Sequence, residues 1–75
     1  RSRYRVRLIH RNVPGVMARV NSIFASSEAN VDAQILATVD EVGYVLTDIS
    51  AGLGREALEE LSHLPETVRL IATPL

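Results

Sequence analysis

The stretch Leu8–Phe24, LIHRNVPGVMARVNSIF, contains the change of pattern that decides the fold. It begins inside the segment Tyr4–His10, whose alternation of side chains is typical of a half-buried strand. A polar break follows, and then a Pro-Gly pair and a pattern of helical spacing. The stretch therefore predicts a strand, a short connection and a helix in immediate succession.

The helical part of this stretch is amphipathic. Pro14 suits a first helical turn, because the N–H that proline lacks has no partner there. Met17 widens an apolar stripe whose members follow the spacing i, i+4, i+7 and i+8: Val16, Val20, Ile23 and Phe24. The pattern predicts a helix over residues 14–28, with its methionine and phenylalanine in the core.

The remaining segments complete an alternating order of elements. Residues 31–39 and 44–51 read as two strands joined by a tight turn at 40–43, in which Gly43 would supply any positive φ. In the first of these strands the residues expected to point inward are Val31, Ala33, Ile35, Ala37 and Val39. The glycines Gly52 and Gly54 bracket the next connection.

A second helix is predicted over 55–63 and a last strand over 67–73, with Pro65 ending the helix. The order β-α-β-β-α-β is that of an α+β, ferredoxin-like sandwich. It implies a four-stranded antiparallel sheet in the order 4-1-3-2, with two helices on one face. Asp48 would then lie beside Arg5 and Arg7 on the open face, as a cross-strand charge pair.

Composition narrows the classes of function. The 75 residues predict a single domain, 1–75, and the formal charge of −1 argues against a nucleic-acid partner. There is no cysteine for thiolate chemistry or a disulfide, which suits the cytoplasm, and no apolar run long enough for a membrane span. No known catalytic or metal-binding motif is present, so we predict no catalytic residue, no metal site and no enzymatic activity of this domain by itself.

The polar break is a candidate binding place. His10 ends the first strand, Asn12 lies in the connection, and Gly15 would let a ligand approach the uncapped N–H groups of the following helix. Such a cradle fits a small zwitterion, with its carboxylate facing N–H donors or His10 and its ammonium facing an amide oxygen. Alternatively, Asn12 forms only an Asx-turn and His10 is an ordinary strand-end residue, which the residues by themselves favour.

The runs LIHRNVPGVMARVNSIF, ANVDAQ and GYVLTDIS closely resemble an ACT domain, in particular the C-terminal serine-binding regulatory domain of D-3-phosphoglycerate dehydrogenases. The resemblance covers almost the whole chain. It implies a fragment of a longer enzyme that binds L-serine and thereby lowers the activity of an attached dehydrogenase, whose NAD cofactor lies outside this domain. The serine-contacting residues of that family fall on His10, Asn12 and Asn30. Val13 stands where the family often has a basic residue.

Asn30 has a simpler alternative role, as a left-handed cap after the first helix. The predicted helix, however, is about 22 Å long and separates Asn30 from His10 and Asn12. One chain cannot then hold one amino acid with all three. If the second strand is an exposed edge that pairs antiparallel with its copy, the first helix lies antiparallel to its copy as well, and this twofold homodimer would bring the three residues together. The resemblance implies the same arrangement. In such a dimer Val31, Ala33 and Gln34 would serve mainly as interface, and Gln34 would either reach the ligand or, as we expect, be a solvated amide.

Three other readings stay open. The chain could be an ACT domain that answers to a different amino acid, either within another amino-acid enzyme or as a stand-alone sensor. It could be a dimerisation module without a ligand. A small acylphosphatase-like enzyme is the third, although Arg11 with Asn12 is a thin match for its phosphate-binding loop.

Overall fold

A computed structural model describes residues 2–51 and 53–75. Its elements are β1 (Tyr4–Arg11), α1 (Val16–Ser26), β2 (Asn30–Val39), β3 (Val42–Ala51), α2 (Arg55–Ser62) and β4 (Thr67–Pro74). The strands form one antiparallel sheet in the order β2-β3-β1-β4. The predicted ferredoxin-like fold and strand order are confirmed. Gly52, one of the two glycines predicted to bracket a connection, lies outside the described residues.

The core lies between one face of the sheet and the two helices. Alternate residues of β1 and β3 are buried, as the period-two pattern predicts. They pack with the helical stripe in one cluster: Val6, Leu8, Val45, Ile49, Val16, Val20, Phe24 and Leu61. Burying each of the larger side chains contributes roughly 1.5–3 kcal/mol, which makes this cluster the main source of stability.

Helix α1 is shorter than predicted at both ends. It begins at Val16 instead of Pro14, because Gly15 has a left-handed φ of 87°, which a right-handed helix cannot include. It ends at Ser26, and the left-handed residue that follows is Glu28, with φ 59°. The predicted alternative role of Asn30 as the left-handed cap is therefore wrong, since Asn30 is already the first residue of β2.

The predicted inward face of β2 is wrong beyond its first residue. Val31 is opposite Ile49 on the helix side, but Asp32 is an extra residue in a β-bulge, which shifts the register. After the bulge, Gln34 and Leu36 lie on the helix side instead. The residues that were expected inward lie on the opposite face: Ala33, Ile35, Ala37 and Val39. A further difference is that all ten residues of β2 are exposed in the protomer.

The turn between β2 and β3 also differs from its prediction. It consists of Asp40 and Glu41, and the positive φ belongs to Asp40, at 54°. Aspartate tolerates this conformation better than most residues. Gly43 instead lies within β3, where it pairs with His10.

Helix α2 ends at Ser62, one residue before the predicted end, and β4 extends one residue further than predicted, to Pro74. Neither helix in the described part of the chain has the length and apolar character needed to cross a membrane.

The predicted charge pair on the open face of the sheet is present. Nε of Arg5 donates to Oδ1 of Asp48 at 2.8 Å, and Nη2 donates to Oδ2 at 3.0 Å. These hydrogen bonds hold the pKa of Asp48 below its ordinary value of 3.8. On the other side of the molecule, the hydrogen bond from Arg19 likewise lowers the pKa of Glu66.

Lowered carboxyl pKa values predict a loss of stability in acid. The stabilisation is fully present above the pKa of the unfolded carboxyl and is lost as the pH falls through the folded pKa. We expect the midpoint temperature of thermal unfolding to decrease as the pH is lowered from about 5 to about 3. The decrease should be smaller in Asp48→Asn than in the unaltered chain. Asp40→Asn, in the turn, is the matched control. An equal acid sensitivity of Asp48→Asn and the unaltered chain would contradict this prediction.

Candidate functional site

His10 lies at the end of β1 on the helix side and is only 1% exposed. Its Nδ1 is 2.8 Å from the carbonyl oxygen of Arg11. Because a carbonyl can only accept, Nδ1 carries the hydrogen, and Nε2 of the neutral ring is an acceptor. Nε2 is buried and has no hydrogen-bond partner among the described residues. Such an atom costs about 1–3 kcal/mol, which a donor from a ligand would recover.

Gly43 determines where the His10 ring can lie. A Cβ atom built on Gly43 would be 2.3 Å from Cε1 of His10 and 2.5 Å from Nε2. The ring therefore occupies the space that the side chain of any other residue type at position 43 would fill. Sequence reasoning assigned this glycine to the turn. The available signal was a glycine adjoining an alternating strand, which often marks a close approach.

The connection from Asn12 to Gly15 is held through its backbone. The N–H of Asn12 donates to the carbonyl oxygen of Glu41 at 2.8 Å, and the N–H of Arg11 donates to that of Glu66 at the same distance. Gly15 has no side chain to cap α1, and no side-chain cap is found in the described residues. The N–H groups of the first helical turn therefore have no side-chain acceptor, although the N–H of Val16 donates to the carbonyl oxygen of Val13 at 3.3 Å.

Asn30 lies at the other end of the sheet. His10 pairs with Gly43 and Asn30 pairs with Ala51, eight residues further along β3. At about 3.3 Å per residue, this separates the two ends by about 26 Å. Within one protomer, His10, Asn12 and Gly15 are close along the chain, and Asn30 lies at the opposite end of the sheet.

The Asn30 side chain belongs to a polar cluster that the sequence did not reveal. Its Nδ2 donates to Oδ1 of Asp32 at 3.0 Å and to Oγ of Ser50 at 2.6 Å. Ser50 Oγ donates in turn to Asp32 Oδ1 at 3.2 Å, and Ser2 Oγ donates to Oδ2 at 2.7 Å. Asp32 and Ser50 thus hold the amide of Asn30 by its nitrogen.

Gln34 is exposed, as expected for a solvated amide, but it also makes two side-chain hydrogen bonds. Its Nε2 donates to Oγ1 of the buried Thr47 at 3.0 Å and to Oδ1 of Asn21 at 3.1 Å. Gln34 therefore links β2 to β3 and α1, and the reversed face of β2 explains why it is turned this way.

The grooves of the protomer lie elsewhere. One, of about 590 Å³, runs along α2, and another, of about 600 Å³, is lined by residues that include Ser2 and Ser50. Neither is lined by His10 or Asn12. A search of the described residues for three or more clustered metal-ligating side chains finds none.

These observations define a small ferredoxin-like domain with His10 and Asn12 at its first strand-to-helix junction and Asn30 at the opposite end of the sheet. The model of the AHAS small subunit-like ACT domain family matches residues 6–69. The chain belongs to the ACT domain family, a class of regulatory domains.

Curated relatives agree with this assignment, and a solved structure agrees with the fold. The chain is 37% identical over 68 residues to D-3-phosphoglycerate dehydrogenase of Dictyostelium discoideum, covering 91% of this chain and 16% of the relative. The identity is 41% over 63 residues with the Escherichia coli K12 enzyme of the same name, covering 81% and 15%. The crystal structure of the ACT domain from GTP pyrophosphokinase of Chlorobium tepidum superposes with a TM-score of 0.80 at 9% identity, covering 97% of this chain and 100% of that domain.

The chain spans about one sixth of the length of the curated relatives described above. It is an ACT regulatory domain that resembles those of D-3-phosphoglycerate dehydrogenases, as the sequence indicated.

Proposed function

We propose that this chain senses L-serine and regulates a D-3-phosphoglycerate dehydrogenase of which it is a part. The parent would be an NAD-dependent oxidoreductase of serine biosynthesis, and its cytoplasmic location stays a prediction. The relatives named above support the choice of enzyme. The observation that carries the proposal is the buried, unpartnered Nε2 of His10 within the described residues, next to an uncapped helix start.

The donors and acceptors of the site suit an amino acid. Nε2 of neutral His10 accepts, and so does Oδ1 of Asn30, because the nitrogen of that amide is engaged by Asp32 and Ser50. An ammonium group and a hydroxyl group supply donors for both. The carboxylate would face the first N–H groups of α1, where the helix dipole is positive.

A second copy of the chain is needed to complete the site. Asn30 lies about 26 Å along the sheet from His10, so the two would meet only across an interface. Strand β2 is an edge of the sheet and carries exposed apolar side chains, among them Ile35 at 62% and Val39 at 72%. Antiparallel pairing of β2 with its copy would cover this edge and form two equivalent sites.

Regulation would follow from linkage. A ligand held by groups of both copies stabilises their docked arrangement, and with it any state of the parent enzyme that is compatible with docking. Serine would then act as a clamp between two subunits.

Titration calorimetry with a panel of amino acids tests the proposal. We expect L-serine to bind with a stoichiometry of two per dimer and to be preferred over the rest of the panel. A clear preference for another amino acid would reject serine and favour a different ACT ligand, a reading that the AHAS description of the family model also supports.

Asn30→Ala tests whether the site exists. We expect this variant to bind serine at least about tenfold more weakly, which corresponds to one lost hydrogen bond, while the dimer remains intact in sedimentation. Thr73→Ala, on the opposite edge strand β4, is the control and should bind normally. Unchanged affinity in Asn30→Ala would remove Asn30 from the site.

The apolar edge of β2 also favours a second candidate function, a dimerisation module without a ligand. This reading predicts a stable dimer to which no amino acid of the panel binds.

A further inference from the structure

The bulge in β2 places a carboxylate next to Asn30. Val31 pairs with Ile49 and Ala33 pairs with Asp48, so Asp32 is the extra residue of the strand. A bulge redirects the side chain of the extra residue. The Asp32 carboxylate lies 3.0 Å from Nδ2 of Asn30, at the end of β2 that the proposed dimer would bring to the ligand.

We propose that Asp32 determines the specificity of this site: its carboxylate holds the Asn30 amide in one orientation and selects ligands that carry an ammonium group. This inference rests on the proposed function and goes beyond it by assigning a role to a residue outside the predicted site.

The orientation follows from hydrogen-bond chemistry. An ionised carboxylate can only accept, so the amide of Asn30 must turn its nitrogen towards Asp32. Ser50 accepts from the same nitrogen at 2.6 Å and donates to Asp32 at 3.2 Å, so that the three side chains are all hydrogen-bonded to one another. Ser2 holds the second carboxylate oxygen at 2.7 Å. Oδ1 of Asn30 is thereby left as the atom for a ligand donor.

The charge of Asp32 adds selectivity. A ligand group that hydrogen-bonds to Oδ1 of Asn30 lies near a negative charge, because the nitrogen of the same amide is 3.0 Å from the Asp32 carboxylate. There an ammonium is attracted and a second carboxylate is repelled. A hydroxyl in the same position gains the hydrogen bond but little of the attraction. Asp32 should therefore distinguish an amino acid from the corresponding hydroxy acid.

Calorimetry on the 75-residue chain with two ligands tests this role. The ligands are L-serine and L-glycerate, in which a hydroxyl replaces the ammonium group. Asp32→Asn keeps the shape and one acceptor oxygen but removes the charge. We expect this variant to bind L-serine about tenfold more weakly, equivalent to about 1.4 kcal/mol. Its preference for serine over glycerate should narrow, a change that a purely structural role of Asp32 would not produce.

Glu59→Gln removes the same charge from an exposed position on α2 and is the matched control. It should leave both the serine affinity and the preference unchanged. If Asp32→Asn retains them as well, the inference is overturned while the proposed function stands. If the unaltered chain binds no amino acid, the proposed function fails and the inference fails with it, so the unaltered chain alone distinguishes the two failures.

Discussion

Gly43→Ala is expected to destabilise the fold by about 1–3 kcal/mol and to weaken serine binding at least tenfold. The added Cβ would lie 2.3 Å from Cε1 and 2.5 Å from Nε2 of His10. Without this overlap the substitution would be favourable, because glycine weakens a strand relative to alanine. A loss of stability would therefore come from the histidine ring.

The ring has little freedom to yield. His10 is 1% exposed, and its Nδ1 donates to the carbonyl of Arg11, so a displaced ring must give up either its packing or this hydrogen bond. In either case Nε2 leaves the position from which it would meet a ligand.

A double-mutant cycle measures this coupling without any ligand. We expect Gly43→Ala to be much less destabilising in a His10→Ala background, because the smaller side chain leaves room for the new Cβ. Gly54→Ala is the control: a Cβ at Gly54 meets no atom within 4 Å, so any cost of replacing this N-cap glycine of α2 should be the same with and without the His10 ring. Equal costs of Gly43→Ala with and without the histidine ring would show that the two residues do not constrain each other.

The sequence predicted those features that depend on regular periodicity. The stripe of Val16, Val20 and Phe24 at helical spacing is buried, as is the alternation of β1 around Val6 and Leu8. The separation of His10 from Asn30 was also predictable, because element order and helix length alone place them at opposite ends of the sheet. All these features follow from geometry that repeats from residue to residue.

The features that the sequence did not predict depend on single irregular residues. One extra residue, Asp32, reverses the faces of β2, and a bulge leaves no mark in the pattern of apolar residues. The left-handed φ of the turn belongs to Asp40, although glycine was predicted to adopt it. Gly43 therefore lies in β3, where it pairs with His10. Both residues that hold Asn30 in place, Asp32 and Ser50, were missed for the same reason, since their contacts depend on the irregular register between Asn30 and Ala33.

Ile35→Lys is expected to dissociate the proposed dimer and to abolish the serine response with it. Ile35 is near the middle of β2, on the face away from the helices, and is 62% exposed in the protomer. In an antiparallel twofold pairing, a residue near the middle of the edge strand lies close to its own copy. The substitution would therefore remove two apolar contacts and bring two positive charges together.

The expected size of the effect follows from the burial that is lost. At about 1.5 kcal/mol for each isoleucine, the two copies lose about 3 kcal/mol, which weakens the dimer more than a hundredfold. The fold of the protomer should be unchanged, because the side chain is exposed there. Serine binding should fall in parallel with the dimer, since each proposed site would take Asn30 from one copy and His10 and Asn12 from the other.

Sedimentation over a range of concentrations, with circular dichroism to monitor the fold, measures the outcome. Val68→Lys is a closely matched control: it makes the same charge change at a β-branched residue that is also 62% exposed, on the opposite edge strand β4. Its dimer and serine binding should equal those of the unaltered chain. A dimer that survives Ile35→Lys but dissociates in Val68→Lys would move the interface to β4, where Asn30 and His10 of two copies could not share a ligand, and the clamp mechanism would fail.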